Sequence, residues 1–264
     1  MESETRLVRF GIGGPVGSGK SHLLLRLCKE LSSQYSIIAI TNDIYSREDA
    51  QFLTREHALD EGRIVGVETG GCPHAAIRDD ISVNLDALTR LGEEFQDAGI
   101  AFIESGGDNL AATFSPDLVD YQIYVIDVAQ GGDIPRKGGL GINQSDLLIV
   151  NKIDLAPFVD VDLAQMSQDV QHARGTLPFV MANMKDGTGV DDIVNWVRES
   201  AAEAPTRGGV PTWAGDGDDH SHSHSHTHSH ADAETEQHLS PRFRPHPIPG
   251  SQTEPDKRSR PPQM

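Results

Sequence analysis

Short apolar runs, each closed by a polar residue, recur along the first 200 residues of this 264-residue chain. Residues 7–12 form one run. Residues 37–41 end in Asn42-Asp43, 64–67 at Glu68, and 100–103 at Glu104. Residues 123–126 end at Asp127, 147–150 at Asn151, and 179–181 form a last short run. These runs are nearly continuous rather than alternating, the pattern of strands buried on both faces of a parallel sheet. Between them the spacing turns helical. Leu23, Leu24, Leu27, Cys28 and Leu31 predict a helix after the first strand. Ile77, Ile81, Leu85, Leu88 and Leu91 predict one helix with steps of three and four, and residues 190–200 a closing helix. Strand, helix and strand in repeated succession predict a three-layer α/β/α fold with a mostly parallel sheet. Sites in such sheets lie beyond the carboxyl ends of the strands. Asp43, Glu68, Glu104, Asp127 and Asn151 are therefore expected to face one crevice.

The pattern stops near Ala201. Downstream, Pro, Gly, Ser, His and Asp dominate. Residues 1–200 read as one domain with a core of its own. Residues 201–264 read as a low-complexity tail that cannot bury enough apolar surface to fold alone, and disorder is expected there.

Gly14-Pro15-Val16-Gly17-Ser18-Gly19-Lys20-Ser21 fits the phosphate-binding loop G-x-x-x-x-G-K-[ST] at every fixed position. It lies between a predicted strand and a predicted helix, where polyphosphate sits on a helix N-terminus. The glycines let successive backbone N–H groups turn towards phosphate. Lys20 would reach the β- and γ-phosphates, and the Ser21 hydroxyl would hold Mg²⁺. The fold expected is thus that of a P-loop NTPase.

Asn151-Lys152-Ile153-Asp154 follows a strand and selects the base. The Asp154 carboxylate can accept from both N1–H and the 2-amino group of guanine. Adenine has neither donor there, and a buried acceptor left unpaired rejects the wrong ligand. The nucleotide expected is GTP. Mg²⁺ needs oxygen ligands beyond Ser21. Glu104, in Glu104-Ser105-Gly106-Gly107, is favoured over Glu68 and Asp127, and Asp43 is a second candidate at a switch position.

Cys72-Pro73-His74 adds different chemistry. A thiolate and an imidazole two residues apart supply half of a four-ligand site. A two-fold dimer would complete it with a second pair around one ion on the axis. That S/N set suits square-planar Ni²⁺ or tetrahedral Zn²⁺. The other reading is a buried cysteine beside a turn proline. In the tail, His220, His222, His224, His226, His228 and His230 alternate with Ser and Thr. Such a tract reads as metal sequestration or as a solvated linker.

Charge narrows the partners. The formal net charge is −18, from 22 basic and 40 acidic residues. Residues 1–200 alone carry 16 basic and 31 acidic residues. That argues against nucleic acid as a partner. Two cysteines make no disulfide framework, and neither a signal peptide nor a membrane-length apolar run is evident. A cytoplasmic protein is expected.

Taken in order, six segments resemble the urease accessory GTPase family, UreG. They are Gly14–Ser21, Thr41-Asn42-Asp43-Ile44-Tyr45, Val67-Glu68-Thr69-Gly70-Gly71-Cys72-Pro73-His74, Glu104-Ser105-Gly106-Gly107-Asp108-Asn109-Leu110, Ile134-Pro135-Arg136-Lys137-Gly138-Gly139 and Asn151–Asp154. The resemblance covers about residues 6–200. The hydrogenase nickel-insertion GTPase is a relative, but the Cys-Pro-His and Glu-Ser-Gly-Gly-Asp-Asn-Leu segments look like the urease branch. The resemblance implies a SIMIBI-class GTPase, slow without partners, that dimerises with GTP and Ni²⁺. It implies that Cys72 and His74 bind nickel across the dimer axis, and that Asp43 and Glu48 act in a switch-like loop. Hydrolysis would release nickel towards apo-urease, with other urease accessory proteins and a nickel chaperone as partners. Two other classes remain: a small-molecule kinase, which would need no guanine-selective motif, and a nickel store built on the His-rich tail.

Overall fold

A computed structural model of the chain describes residues 6–43, 47–70, 73–107, 110 and 113–204. Seven strands form one sheet: β1 (Val8–Gly13), β2 (Ile37–Asp43), β3 (Ile64–Glu68), β4 (Ile100–Glu104), β5 (Tyr121–Asp127), β6 (Leu147–Asn151) and β7 (Phe179–Met181). Their order is β3-β2-β4-β1-β5-β6-β7. Every pairing is parallel, so the sheet is all-parallel where the sequence predicts a mostly parallel one.

The period of two along each buried strand sorts its side chains into two layers. Phe10, Ile12, Ala39, Phe102, Ile123 and Ile149 face α1 (Lys20–Leu31) and α8 (Val190–Glu203). Ile38, Ile40, Ala101 and Ile103 face the other way, onto α4 (Ser82–Glu94). On that same side Tyr124, Ile126, Leu148 and Val150 pack with α7 (Leu163–Arg174). Helices on both faces make the three layers. Phe10 anchors the first core, with Tyr121 stacked at 5.3 Å and Trp196 edge-on at 6.1 Å. Among the described residues no helix is long and apolar enough to cross a membrane.

The single helix predicted across Ile77–Leu91 is two. α3 (Pro73–Arg78) stops, and α4 begins at Ser82. The break has a local cause. Asp80 Oδ1 accepts from Ser82 N at 3.3 Å and from Ser82 Oγ at 2.6 Å, offering the chain an alternative to helical bonding. Asp79 N and Asp80 N both close onto Ala75 O. The spacing misleads because Ile77, Leu88 and Leu91 press into one core from two helices. α2 (Glu48–Arg55), α5 (Ile134–Lys137), α6 (Leu140–Gln144) and α7 are further helices that the apolar spacing did not mark. α8 continues through Glu203, so the first residues assigned to the tail are helical. The disorder expected further on concerns residues 205–264, which lie outside the described residues.

The sheet order also places the crevice. The connection leaving β1 runs to β2 on one side of the sheet, and that leaving its neighbour β5 runs to β6 on the other. Connections that diverge in this way open a cleft at the strand ends, and residues 14–19 sit at it.

Candidate functional site

The Gly14–Ser21 loop is held from below and from the side. β1 is buried throughout, and the chain turns through Ser18 N→Pro15 O at 3.2 Å into α1. Leu23, Leu24, Leu27, Cys28 and Leu31 fix α1 on the sheet. Gly19 has φ +104°, and a Cβ there would lie 2.2 Å from Asn151 Nδ2, so only glycine passes. No side chain caps α1, and its first turn has no acidic residue. Its free N–H groups and positive dipole end are thus left for an anion. Lys20 is buried along the loop, with Nζ donating to Pro15 O at 3.2 Å. Gly107, leaving β4, has φ +96°, and a Cβ there would approach Val16 Cγ2 to 2.4 Å. The segment after β4 therefore closes onto the loop tip.

Below the loop lies an acidic pocket. Ser21 Oγ is 2.7 Å from Glu104 Oε1 and 2.8 Å from Asp49 Oδ1, and its one proton can serve only one of them at a time. Glu104 is fully buried, and its Oε2 has no hydrogen-bond partner. Burial pushes its carboxyl up to about 8. Asp49, and less so Asp43, add to the rise, while Lys20 and the Ser21 hydroxyl oppose it. The other strand-end acids go elsewhere. Glu68 is exposed and pairs with Arg47 at 3.1 Å. Asp127 accepts from Ala129 N at 2.9 Å and faces Lys152 Nζ at 3.4 Å. Asp43 ends β2, its backbone oxygen accepting from Thr69 N at 2.8 Å.

Asp49 is the residue that sequence reasoning passed over. Glu48 opens α2 and is exposed, whereas Asp49 beside it reaches Ser21. The signal was available: Asp49 lies four residues before the buried Leu53, hence on the same helix face. Ser21, Glu104 and Asp49 offer hard oxygen donors, one with an unused lone-pair position, and a surplus of negative charge. That set fits Mg²⁺. Among the described residues no group of three or more His, Cys, Asp or Glu could hold a metal ion by itself. A cation here would share its shell with water and phosphate oxygens, as Mg²⁺ commonly does.

Asn151 and Lys152 clamp the loop from the β6 side. Asn151 Nδ2 donates to Ser18 O at 2.9 Å, and its Oδ1 accepts from Met184 N at 3.1 Å. Lys152 takes a left-handed conformation, φ +59°, and its Nζ donates to Gly17 O at 2.6 Å. Asp154 is exposed in the 3₁₀ turn Ile153–Phe158, open to a ligand. Residues 182–185 are brought against Asn151. Arg26 of α1 holds them, donating to Met184 O at 3.1 Å and Lys185 O at 3.0 Å.

Of the soft-metal motif, His74 lies half-buried in the first turn of α3. Cys72 lies outside the described residues, as do Asp108, Asn109 and the six tail histidines at 220–230. Cys28 is a core residue whose thiol is pushed up to about 12, chiefly by burial and then by Glu104.

Residues 8–181 match the CobW/HypB/UreG nucleotide-binding domain. Among solved structures, the hydrogenase maturation factor HypB of Archaeoglobus fulgidus aligns with a TM-score of 0.60 at 21% identity, covering 74% of this chain and 90% of that one. HypB from Helicobacter pylori in complex with nickel aligns with a TM-score of 0.62, also at 21% identity, covering 75% and 88%. At that identity the likeness is one of fold.

The raised Glu104 carboxyl gives a pH prediction for the ligand-free protein. Between its ordinary value of 4.5 and about 8 the folded chain keeps a proton that the unfolded chain has lost. Stability contributed by this group therefore falls as pH rises through that window. Glu104→Gln, which cannot ionise, is expected to gain stability relative to the parent between pH 5 and pH 8, as read by denaturant midpoints. A difference that does not change with pH would contradict the buried, charge-crowded setting.

Proposed function

We propose that this chain, which belongs to the CobW/HypB/UreG nucleotide-binding family, is a GTP-hydrolysing nickel metallochaperone that serves urease maturation in the cytoplasm. It dimerises with GTP and Ni²⁺ and couples hydrolysis to nickel delivery into apo-urease. The observation that carries the reading is the Ser21–Glu104 contact under a phosphate loop, with Glu104 Oε2 buried and unused. The nickel complex of the similar HypB structure supports the choice of metal.

In this mechanism the N–H groups of residues 14–19 and Lys20 bind the triphosphate, and Asp154 accepts from the guanine edge. Asn151 and Lys152 keep the loop in register with the base by their bonds to Ser18 O and Gly17 O. Ser21 and Glu104, with Asp49, would hold Mg²⁺, and Asp43 is a further candidate ligand. Bound Mg²⁺ supplies charge neutralisation on the β- and γ-phosphates. Lys20 offsets charge that develops as the γ-phosphoryl leaves. Asp43 and Glu48, on either side of residues 44–46, take the switch role and orient the attacking water. Cys72 and His74 of two chains hold nickel as cargo on the dimer axis. Residues 1–200 act as the GTPase unit, and the tail histidines gather metal for it. The urease apoprotein, its accessory proteins and a nickel chaperone are the partners.

A second reading, nickel insertion into hydrogenase, is favoured by the HypB likeness. The Cys72-Pro73-His74 and Glu104–Leu110 segments favour the urease branch.

Cys72→Ala is expected to abolish the Ni²⁺-dependent dimer while leaving GTP binding unchanged. Size-exclusion chromatography with light scattering, with Ni²⁺ and a non-hydrolysable GTP analogue, reads this; an undiminished dimer would sink the site. Asp154→Asn is expected to lower the preference for GTP over ATP by about 10- to 100-fold. Competition binding with the two nucleotides measures it, and an unaltered preference would mean that the base is read elsewhere.

A further inference from the structure

Two asparagines sit where the apolar pattern has no need of them. Asn42 on β2 and Asn84 on α4 are both fully buried, amid the core that holds Ile38, Ile40, Ile77 and Leu88. A carboxamide in such a place is costly unless its bonds are made. Here they are made in one particular way. Asn42 Nδ2 donates to Asn84 Oδ1 at 3.1 Å, and Asn84 Nδ2 donates back to Asn42 Oδ1 at 2.9 Å. The second hydrogen of each amide goes to a backbone carbonyl. Asn42 takes Glu104 O at 2.9 Å, and Asn84 takes Ala76 O at 2.9 Å. All four N–H donors are used.

The two carbonyls at the ends of this chain belong to the two halves of the proposed function. Glu104 is the residue whose side chain meets Ser21 Oγ beneath the phosphate loop. Ala76 lies on the short helix α3 that carries His74, two residues away. Around the pair, α3 and the strands are joined by apolar packing, which has no direction. The reciprocal amide pair has direction and fixed length, with no spare donor to take up a displacement. Two leucines in their place would supply no directed bond and would leave no side-chain amide stranded.

We propose that Asn84, acting through Asn42, is the positioning residue that ties the metal-motif helix to the Glu104 end of the nucleotide site. When occupancy of the phosphate site changes, the Glu104 backbone passes the change to Ala76, and α3 carries it to His74. The inference rests on the nickel reading of Cys72 and His74 given above. α3 has a separate hold on its far side, with Ser115 N donating to Ile77 O at 2.8 Å and Arg78 Nη1 to Thr113 Oγ1 at 3.0 Å. Loss of the asparagine link therefore leaves the helix in place but uncoupled.

The test uses the full chain and compares the parent, Asn84→Leu and the double variant Asn42→Leu/Asn84→Leu. Nickel is titrated with Mg²⁺ and either GDP or a non-hydrolysable GTP analogue. The readout is the near-ultraviolet thiolate-to-nickel absorption of Cys72. The tail histidines carry no thiolate, and Cys28 stays protonated in the core. The ratio of the two nickel affinities measures the coupling, about fivefold or more in the parent. In Asn84→Leu the ratio is expected to fall to within about twofold of unity, with GTP-analogue affinity changed by less than about threefold. The double variant, which leaves no side-chain amide unpaired, is expected to melt above Asn84→Leu but not to regain the parent's ratio.

A double variant that keeps the parent's ratio overturns the proposal. So does a uniform loss of nickel affinity, nucleotide affinity and melting temperature in both variants, which would mark a structural role alone. A parent with no thiolate–nickel band, or with a ratio of one, overturns the nickel reading itself and the link with it. That outcome is separable because it appears before any substitution is made.

Discussion

A parallel sheet covered by helices on both faces leaves polar side chains one place to gather, the carboxyl ends of its strands. In this chain the phosphate loop, Glu104 and Asn151 follow from that constraint. β1, β4 and β6 are buried along their whole length, and each presents its functional group at its carboxyl end: the phosphate loop after Gly13, Glu104, and Asn151. Parallel register then brings those ends level with one another. Ile12 stands beside Glu104 and Asp127 beside Asn151, so loops far apart in sequence share one cleft.

Placing a carboxylate at such an end has an electrostatic consequence. Glu104 is within the sheet's dry edge, with Asp49 and Asp43 near it and Lys20 as the opposing charge. The ligand-free pocket therefore holds more negative charge than it can stabilise, and the carboxyl resists ionisation. A divalent cation with a triphosphate would relieve that crowding. Ligand occupancy and local stability are tied together by the same residue that the Asn42–Asn84 pair links to α3.

The core of the fold could be read from the sequence because it depends on local period. All seven strands show as apolar runs, and the closing polar residue of most of them marks the site edge. What the sequence obscured has physical reasons. The break between α3 and α4 depends on Asp80 capping Ser82, a local polar contest that an apolar stripe crossing two helices conceals. α7 has only a thin buried stripe of Met166, Val170 and Arg174, so its period is weak. In the site, motifs with fixed spacing led to Ser21, Glu104, Asn151 and Lys152, which the fold brings around the phosphate loop. Asp49 and the 182–185 loop were harder to see, because their place depends on tertiary packing. Glu68 ends a strand like the others, yet it lies at the edge strand and pairs with Arg47 in the open. Strand-end position alone did not separate it from Glu104; burial did.

On the function proposed above, the chain joins a nucleotide pocket that reports on the γ-phosphate to a metal half-site that needs a second copy. If hydrolysis gates the metal, nickel must leave when phosphate does and not before. The direct measurement follows the Cys72 thiolate–nickel absorption of the loaded dimer against a competing chelator, alongside phosphate release. With a non-hydrolysable GTP analogue the band should persist, and with GTP it should decay in step with phosphate. Decay at the same rate with both nucleotides would show that hydrolysis does not control delivery.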